Sequence, residues 1–111
     1  MTRRVLKNLD YLKALHCSQK VEKEQLLKHA RAEIINAICD CAKNILLGNI
    51  DITSNEKKRL QPKKNVLRKL ADRKTKFKDR KKLLVQNGSG LLTALLAPVI
   101  TTLASGILSK V

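Results

Sequence analysis

The residues best placed to act together in this chain are cations, and the chemistry open to them is neutralisation of an anion. Fourteen of the 24 lysines and arginines fall between positions 57 and 82: Lys57, Lys58, Arg59, Lys63, Lys64, Arg68, Lys69, Arg73, Lys74, Lys76, Lys78, Arg80, Lys81 and Lys82. Only Asp72 and Asp79 oppose them, so fourteen against two gives a local charge of +12 out of +15 for the whole chain. A solubilising surface mixes signs; a block of one sign is tolerated where a polyanion or an anionic surface will neutralise it. Directly behind the block, residues 83–109 carry no charged side chain. Phosphates of nucleic acid and anionic membrane are therefore the two partners that the charge distribution admits.

Other chemistries have less to stand on. His16, Cys17, His29, Cys39 and Cys41 include metal-ligating types. On a helix, however, Cys39 and Cys41 project about 200° apart and cannot share one tetrahedral ion, so no metal and no cofactor is expected. The acids Glu22, Glu24, Glu33 and Asp40 are spaced for surface ion pairs, such as Glu24 with Lys28 four residues on. No nucleophile, base and acid arrangement is suggested, and Gly88–Gly90 lacks the lysine and hydroxyl of a P-loop. We expect no enzyme and no small-molecule substrate. Tyr11 and Phe77 are the only aromatics, which leaves almost no means of stacking on unpaired bases. Three cysteines leave one unpaired in any disulfide scheme and point to a reducing compartment. Lys7, Asp10 and Lys13 interrupt the segment after Arg3 and Arg4, so no secretory signal is expected.

Helices must carry these residues. Val5, Leu6, Leu9, Leu12 and Leu15 recur at three- and four-residue steps and predict one amphipathic helix over residues 2–15. A longer one is predicted from Ser18, as N-cap, through Leu26, Leu27, Ala30, Ile34, Ile35, Ile38, Cys41, Ala42, Ile45 and Leu46, with Gly48 and Asn49 as its stop. Thr53 and Glu56 have capping-box spacing for a third helix, which Pro62 limits to about two turns. Residues 63–71 suit a further helix with Val66, Leu67, Leu70 and Ala71 on a narrow apolar face, and Thr75 is positioned to cap a last basic turn. Period-two alternation is not sustained anywhere, so strands are not expected.

Beyond a flexible break at Gly88, Ser89 and Gly90, residues 91–108 would rise about 27 Å as one helix, just short of a hydrocarbon core of about 30 Å. Pro98 is expected to kink it. Leu91, Leu92, Leu95, Leu96, Pro98, Val99, Ile100, Leu103, Ile107 and Leu108 are its candidate contacts with membrane or capsid. The competing arrangement is a tail that folds back to complete the core of a head short of apolar partners.

The run from Lys81 through Gln86, Asn87, Gly88, Ser89 and Gly90 to Leu92, followed by Leu95, Leu96, Ala97, Pro98, Val99 and Ile100, resembles the junction in the adenovirus core-protein precursor called pX or pre-mu. There a basic DNA-condensing segment meets an apolar tail. The longer pattern CDCAKNILLGNIDITSNEKKRL, LRKLADRK and KKLLVQNGSGLLTALLAPV is similar to small proteins of Polinton (Maverick) elements and their adintovirus relatives, over residues 20–108. The resemblance implies a minor virion or core protein, found in the virion and the host nucleus, whose residues 57–82 condense viral DNA and whose tail engages capsid or membrane. It also implies a viral protease site between Ser89 and Gly90, with Gln86 standing where those sites carry an aliphatic residue.

The expectation is thus an all-α protein: a helical head over residues 1–49, a connector over 50–56, a polybasic arm over 57–86, a Gly/Ser hinge over 87–90 and an apolar tail over 91–111. Its expected partner is double-stranded DNA, bound without sequence preference, with capsid protein or membrane at the tail and self-association through the head. Two other readings stay open: a membrane-active virion-escape protein, and a capsid cement or scaffold adaptor that acts through the head.

Overall fold

A fifteen-residue helix, Ala32–Leu46, buries Ile34, Ile35, Ala37, Ile38, Cys39, Cys41, Ala42, Asn44 and Ile45, so it is apolar around most of its circumference. A helix of that kind is stable only when other elements surround it. The computed structural model describes the backbone of residues 3–110 and the side chains of residues 3–88 and 90–103, and it supplies those elements. Seven helices follow one another among the described residues: α1 (Arg3–Lys7), α2 (Leu9–Cys17), α3 (Lys20–Lys28), α4 (Ala32–Leu46), α5 (Ser54–Leu60), a 3-10 turn (Gln61–Lys63), α6 (Lys64–Ala71) and α7 (Phe77–Lys110). No strand occurs among them. The expected all-α class is therefore correct.

Local signals place several boundaries. Gly48, at φ +77°, ends α4: its N–H donates to the Ile45 carbonyl and the Asn49 N–H to the Asn44 carbonyl. This is the Schellman pairing that glycine makes cheaply. The Thr53 hydroxyl accepts from the Glu56 N–H at 3.1 Å while the Glu56 carboxylate accepts from the Thr53 N–H at 2.8 Å, completing the capping box of α5. Pro62 follows in the 3-10 turn.

Other boundaries differ from the periodicity. The first predicted helix is interrupted at Asn8, where the Arg4 carbonyl accepts from both the Asn8 N–H and the Asn8 side chain. The second breaks at residues 29–31, giving α3 and α4. Ser18 is the C-cap of α2 rather than an N-cap, because its hydroxyl donates back to the Ala14 carbonyl at 2.7 Å; Gln19 occupies the N-cap of α3. Thr75 does not stand at the N-cap of α7: Lys76 precedes Phe77 there, and its carbonyl accepts the first helical bond, from the Arg80 N–H at 3.0 Å.

The largest correction concerns the tail. Leu91, Leu92, Leu95, Leu96 and Val99 are at most 1% exposed, Leu103 is 9% exposed, Pro98 is buried and Ile100 is half-buried. They join Leu12, Leu15, Leu27, Ile35 and Ile38 of the head, and Leu60, Leu67, Leu70 and Leu84 of the basic segment, in one core. Residues of head, arm and tail thus share one core. The physical reason is that the head and the basic segment each expose an apolar stripe too narrow to bury alone, and the tail covers both. The side chains of Ile107 and Leu108 lie outside the described residues. The radius of gyration, 13.0 Å, is that of a compact chain of this length.

The bend that lets the tail return lies at Gly88, with φ 64° and ψ −156°, and not at Pro98. The limbs Phe77–Gly88 and Gly90–Leu103 meet there at 103°. Such dihedrals belong almost exclusively to glycine. A Cβ would meet Glu24 Oε1 at 3.9 Å, an ordinary contact, so the cost of Gly88→Ala lies in the backbone. We expect it to destabilise by about 1–3 kcal/mol in urea titration; an unchanged midpoint would mean that the bend forms without glycine. Asn87 steadies the same corner by donating to the Leu83 carbonyl and accepting from Lys63 Nζ at 3.1 Å.

One polar contact locks the tail to the head. Lys23 is 5% exposed and its Nζ donates to Thr93 Oγ1 at 2.6 Å, across 70 residues of sequence. An ammonium withdrawn from water needs its acceptor. Thr93→Val keeps the volume and removes that acceptor, so it should cost about 1.5–3 kcal/mol, whereas Lys23→Met, which removes the charge as well, should cost less. Equal stability of wild type and Thr93→Val in urea would show that the ammonium finds water instead.

Candidate nucleic-acid interface

The fourteen clustered cations occupy consecutive elements because α5, α6 and the first limb of α7 each turn one apolar edge inward, with the 3-10 turn, which buries no residue, between the first two. Leu60, Leu67, Leu70 and Leu84 anchor those edges. Lys57, Lys58 and Arg59 stand on α5, Lys63 on the 3-10 turn, Lys64, Arg68 and Lys69 on α6, Arg73, Lys74 and Lys76 on the connection, and Lys78, Arg80, Lys81 and Lys82 on α7. Eleven of them are exposed; Lys63, Arg80 and Lys81 are half-buried.

Two of these three have structural duties that their type alone does not reveal. Lys63 bonds Asn87 at the corner, and Arg80 Nη2 donates to the Asp72 carbonyl at 2.7 Å, satisfying the C-cap carbonyl of α6. The surface ion pairs Arg4–Asp40 (3.3 Å) and Lys7–Glu33 (3.4 Å) tie α1 to α4.

The structure does not gather all the cations on one stripe. The α6–α7 side brings together Lys69, Lys74, Lys76 and Lys82 around a groove of 540 Å³, with Thr75 and Asp79 also on its wall. Arg59 and Lys63 flank a second depression beside Asn87 and Thr93. Lys28, Lys78, Lys81 and Lys82 surround an apolar patch of Phe77 and Val85. Lys28, from α3, extends this surface and was not among the expected contacts; its distance in sequence from the block leaves no local signal.

Of the other candidates, His16 is half-buried and Cys17 and His29 are exposed. Cys39 and Cys41 are buried free thiols, and burial pushes them up to about 11 and about 12, so both stay neutral near pH 7. Burial first, and then the charge of Lys23, holds the His16 imidazole below its usual pKa. Among the described residues no three of His, Cys, Asp and Glu come together as a metal site. No single helix among them is long and apolar enough to cross a membrane, and the two limbs of α7 reach that composition only together, across the bend. Ser89 and Gly90 lie at this bend, with Gly90 exposed.

Fold and surface together define a class: a small all-α protein whose apolar segments share one core and whose second half presents a cationic surface. No family model, no curated protein and no solved structure matches this chain.

Proposed function

We propose that this protein binds double-stranded DNA without sequence preference, by neutralising phosphates with the surface of α5, α6 and the first limb of α7. The observation that carries the reading is the exposure of eleven of the fourteen clustered cations over a segment holding only two acids. Lysines held on a folded surface displace condensed counterions from a duplex, and the released ions supply the free energy. The scarcity of aromatics, and Phe77 standing among lysines instead of in a row of stacking rings, favour duplex phosphate over unpaired bases. The groove of Lys69, Lys74, Lys76 and Lys82 is the centre of the proposed contact.

A virion core, assembled in the host nucleus, is the setting to which the resemblance of residues 20–108 points, with DNA condensation as the task. Burial of Leu91–Leu103 gives the tail a structural part in that reading and removes the need for a lipid or capsid partner to cover it. The test is binding of the intact chain to a random duplex across a salt series. A steep linear fall of log affinity with log salt is expected, and binding that is absent at 50 mM salt would reject the reading.

A further inference from the structure

A cavity of 660 Å³ lies where α1, α4, the end of α6 and α7 converge, on a wall the basic block only partly supplies. Arg73 and Arg80 come from the block, but Arg4 and Lys43 come from the head. Among the described residues Asp40 is the one carboxylate lining it, so four cations against one anion leave an excess of three positive charges. Cys39 also lines the cavity and adds no compensating charge as a neutral thiol.

Two of the four cations are held in place. Arg4 is fixed on Asp40 at 3.3 Å, and Arg80 Nη2 is fixed on a neutral carbonyl, that of Asp72. Arg80 Nε is buried and has no hydrogen-bond partner. A guanidinium partly withdrawn from water and bonded to a neutral acceptor is electrostatically incomplete, because buried charge is ordinarily paired. Guanidinium forks and an ammonium around one cavity match phosphate oxygens in geometry and charge. The volume falls within the roughly 300–1,000 Å³ of small-ligand sites and exceeds what a single phosphate group fills.

We propose that this cavity binds a compact oligophosphate anion, of which pyrophosphate is the smallest probe, whose negative charge matches the local excess. The site overlaps the proposed duplex surface only at Arg73 and Arg80: Lys43 and Arg4 lie outside the basic block, and the cavity does not include Lys69, Lys74, Lys76 or Lys82.

The experiment is calorimetric titration of the full chain with pyrophosphate, and with inorganic phosphate as the single-group probe, at constant ionic strength. Expected are one saturable site for pyrophosphate, weaker binding of phosphate, and loss of about tenfold in affinity for Lys43→Gln and for Arg73→Gln. Lys58→Gln, on the exposed side of α5, should leave pyrophosphate affinity unchanged. Circular dichroism checks that each variant is folded. No saturable pyrophosphate binding overturns the proposal, as does an equal loss in Lys43→Gln and Lys58→Gln, which would reduce the effect to net charge. Because Lys43→Gln leaves the block intact, its duplex salt slope should stay that of wild type, so this site and the duplex reading fail separately.

Discussion

A chain ending at Gln86 is expected to lose its cooperative fold. The deletion removes Leu91, Leu92, Leu95, Leu96, Val99 and Leu103, all buried in the shared core, and the Thr93 acceptor of the buried Lys23 ammonium. At about 1.5–3 kcal/mol for each fully buried aliphatic side chain, the lost burial is of the order of the whole stability of a small domain. The ordering cost of the deleted residues also disappears, but the apolar faces of α2, α3 and α4 that pack on α7 would be left in water. Thermal melting followed by circular dichroism should show no sharp transition, and a dye that reports exposed apolar surface should bind. A single replacement, Leu95→Ala or Leu96→Ala, should cost about 2–5 kcal/mol and lower the melting temperature without abolishing the transition. A sharply melting truncation would instead mean that the head and basic segment are self-sufficient, and would restore the tail as a segment free to engage lipid or capsid.

The second large effect is on salt dependence. Replacing Arg68, Lys69, Lys74, Lys76 and Lys82 by glutamine removes five exposed cations whose side chains lie outside the core. Each phosphate contact contributes about −0.9 to the slope of log affinity against log salt, so the slope should flatten by up to about 4 to 5. If the intact protein covers about 6–10 phosphates, its affinity falls by about three to five decades between 50 and 200 mM salt, and the variant should lose about half or more of that sensitivity. Melting behaviour should be little changed, because none of the five side chains is buried. An unchanged slope in a folded variant would exclude the α6–α7 surface as the contact.

Position in sequence proved a reliable guide where the deciding interaction is local. Gly48, the Thr53 and Glu56 pair and Pro62 each act within a few residues, and each boundary is where those residues put it. Ser18 shows the limit of the same reasoning, since a hydroxyl that can cap a helix can equally bond back into the preceding turn. Lys23 carries no signal of its own in the sequence: it stands four residues before Leu27, and a lysine at that spacing is either snorkelling or, as here, buried with a partner.

By itself the chain determined its all-helical character, the clustering of its cations and the chemistry open to them, because periodicity, caps and charge are properties of neighbouring residues. The tertiary structure alone decided where the apolar tail goes. The tail's composition suits lipid, a partner or its own core equally, and the choice depends on how much apolar surface the other helices leave uncovered. It also decided that Arg4 and Lys43 stand beside Arg73 and Arg80, since a charge cavity built from four separate segments has no period and no spacing to betray it.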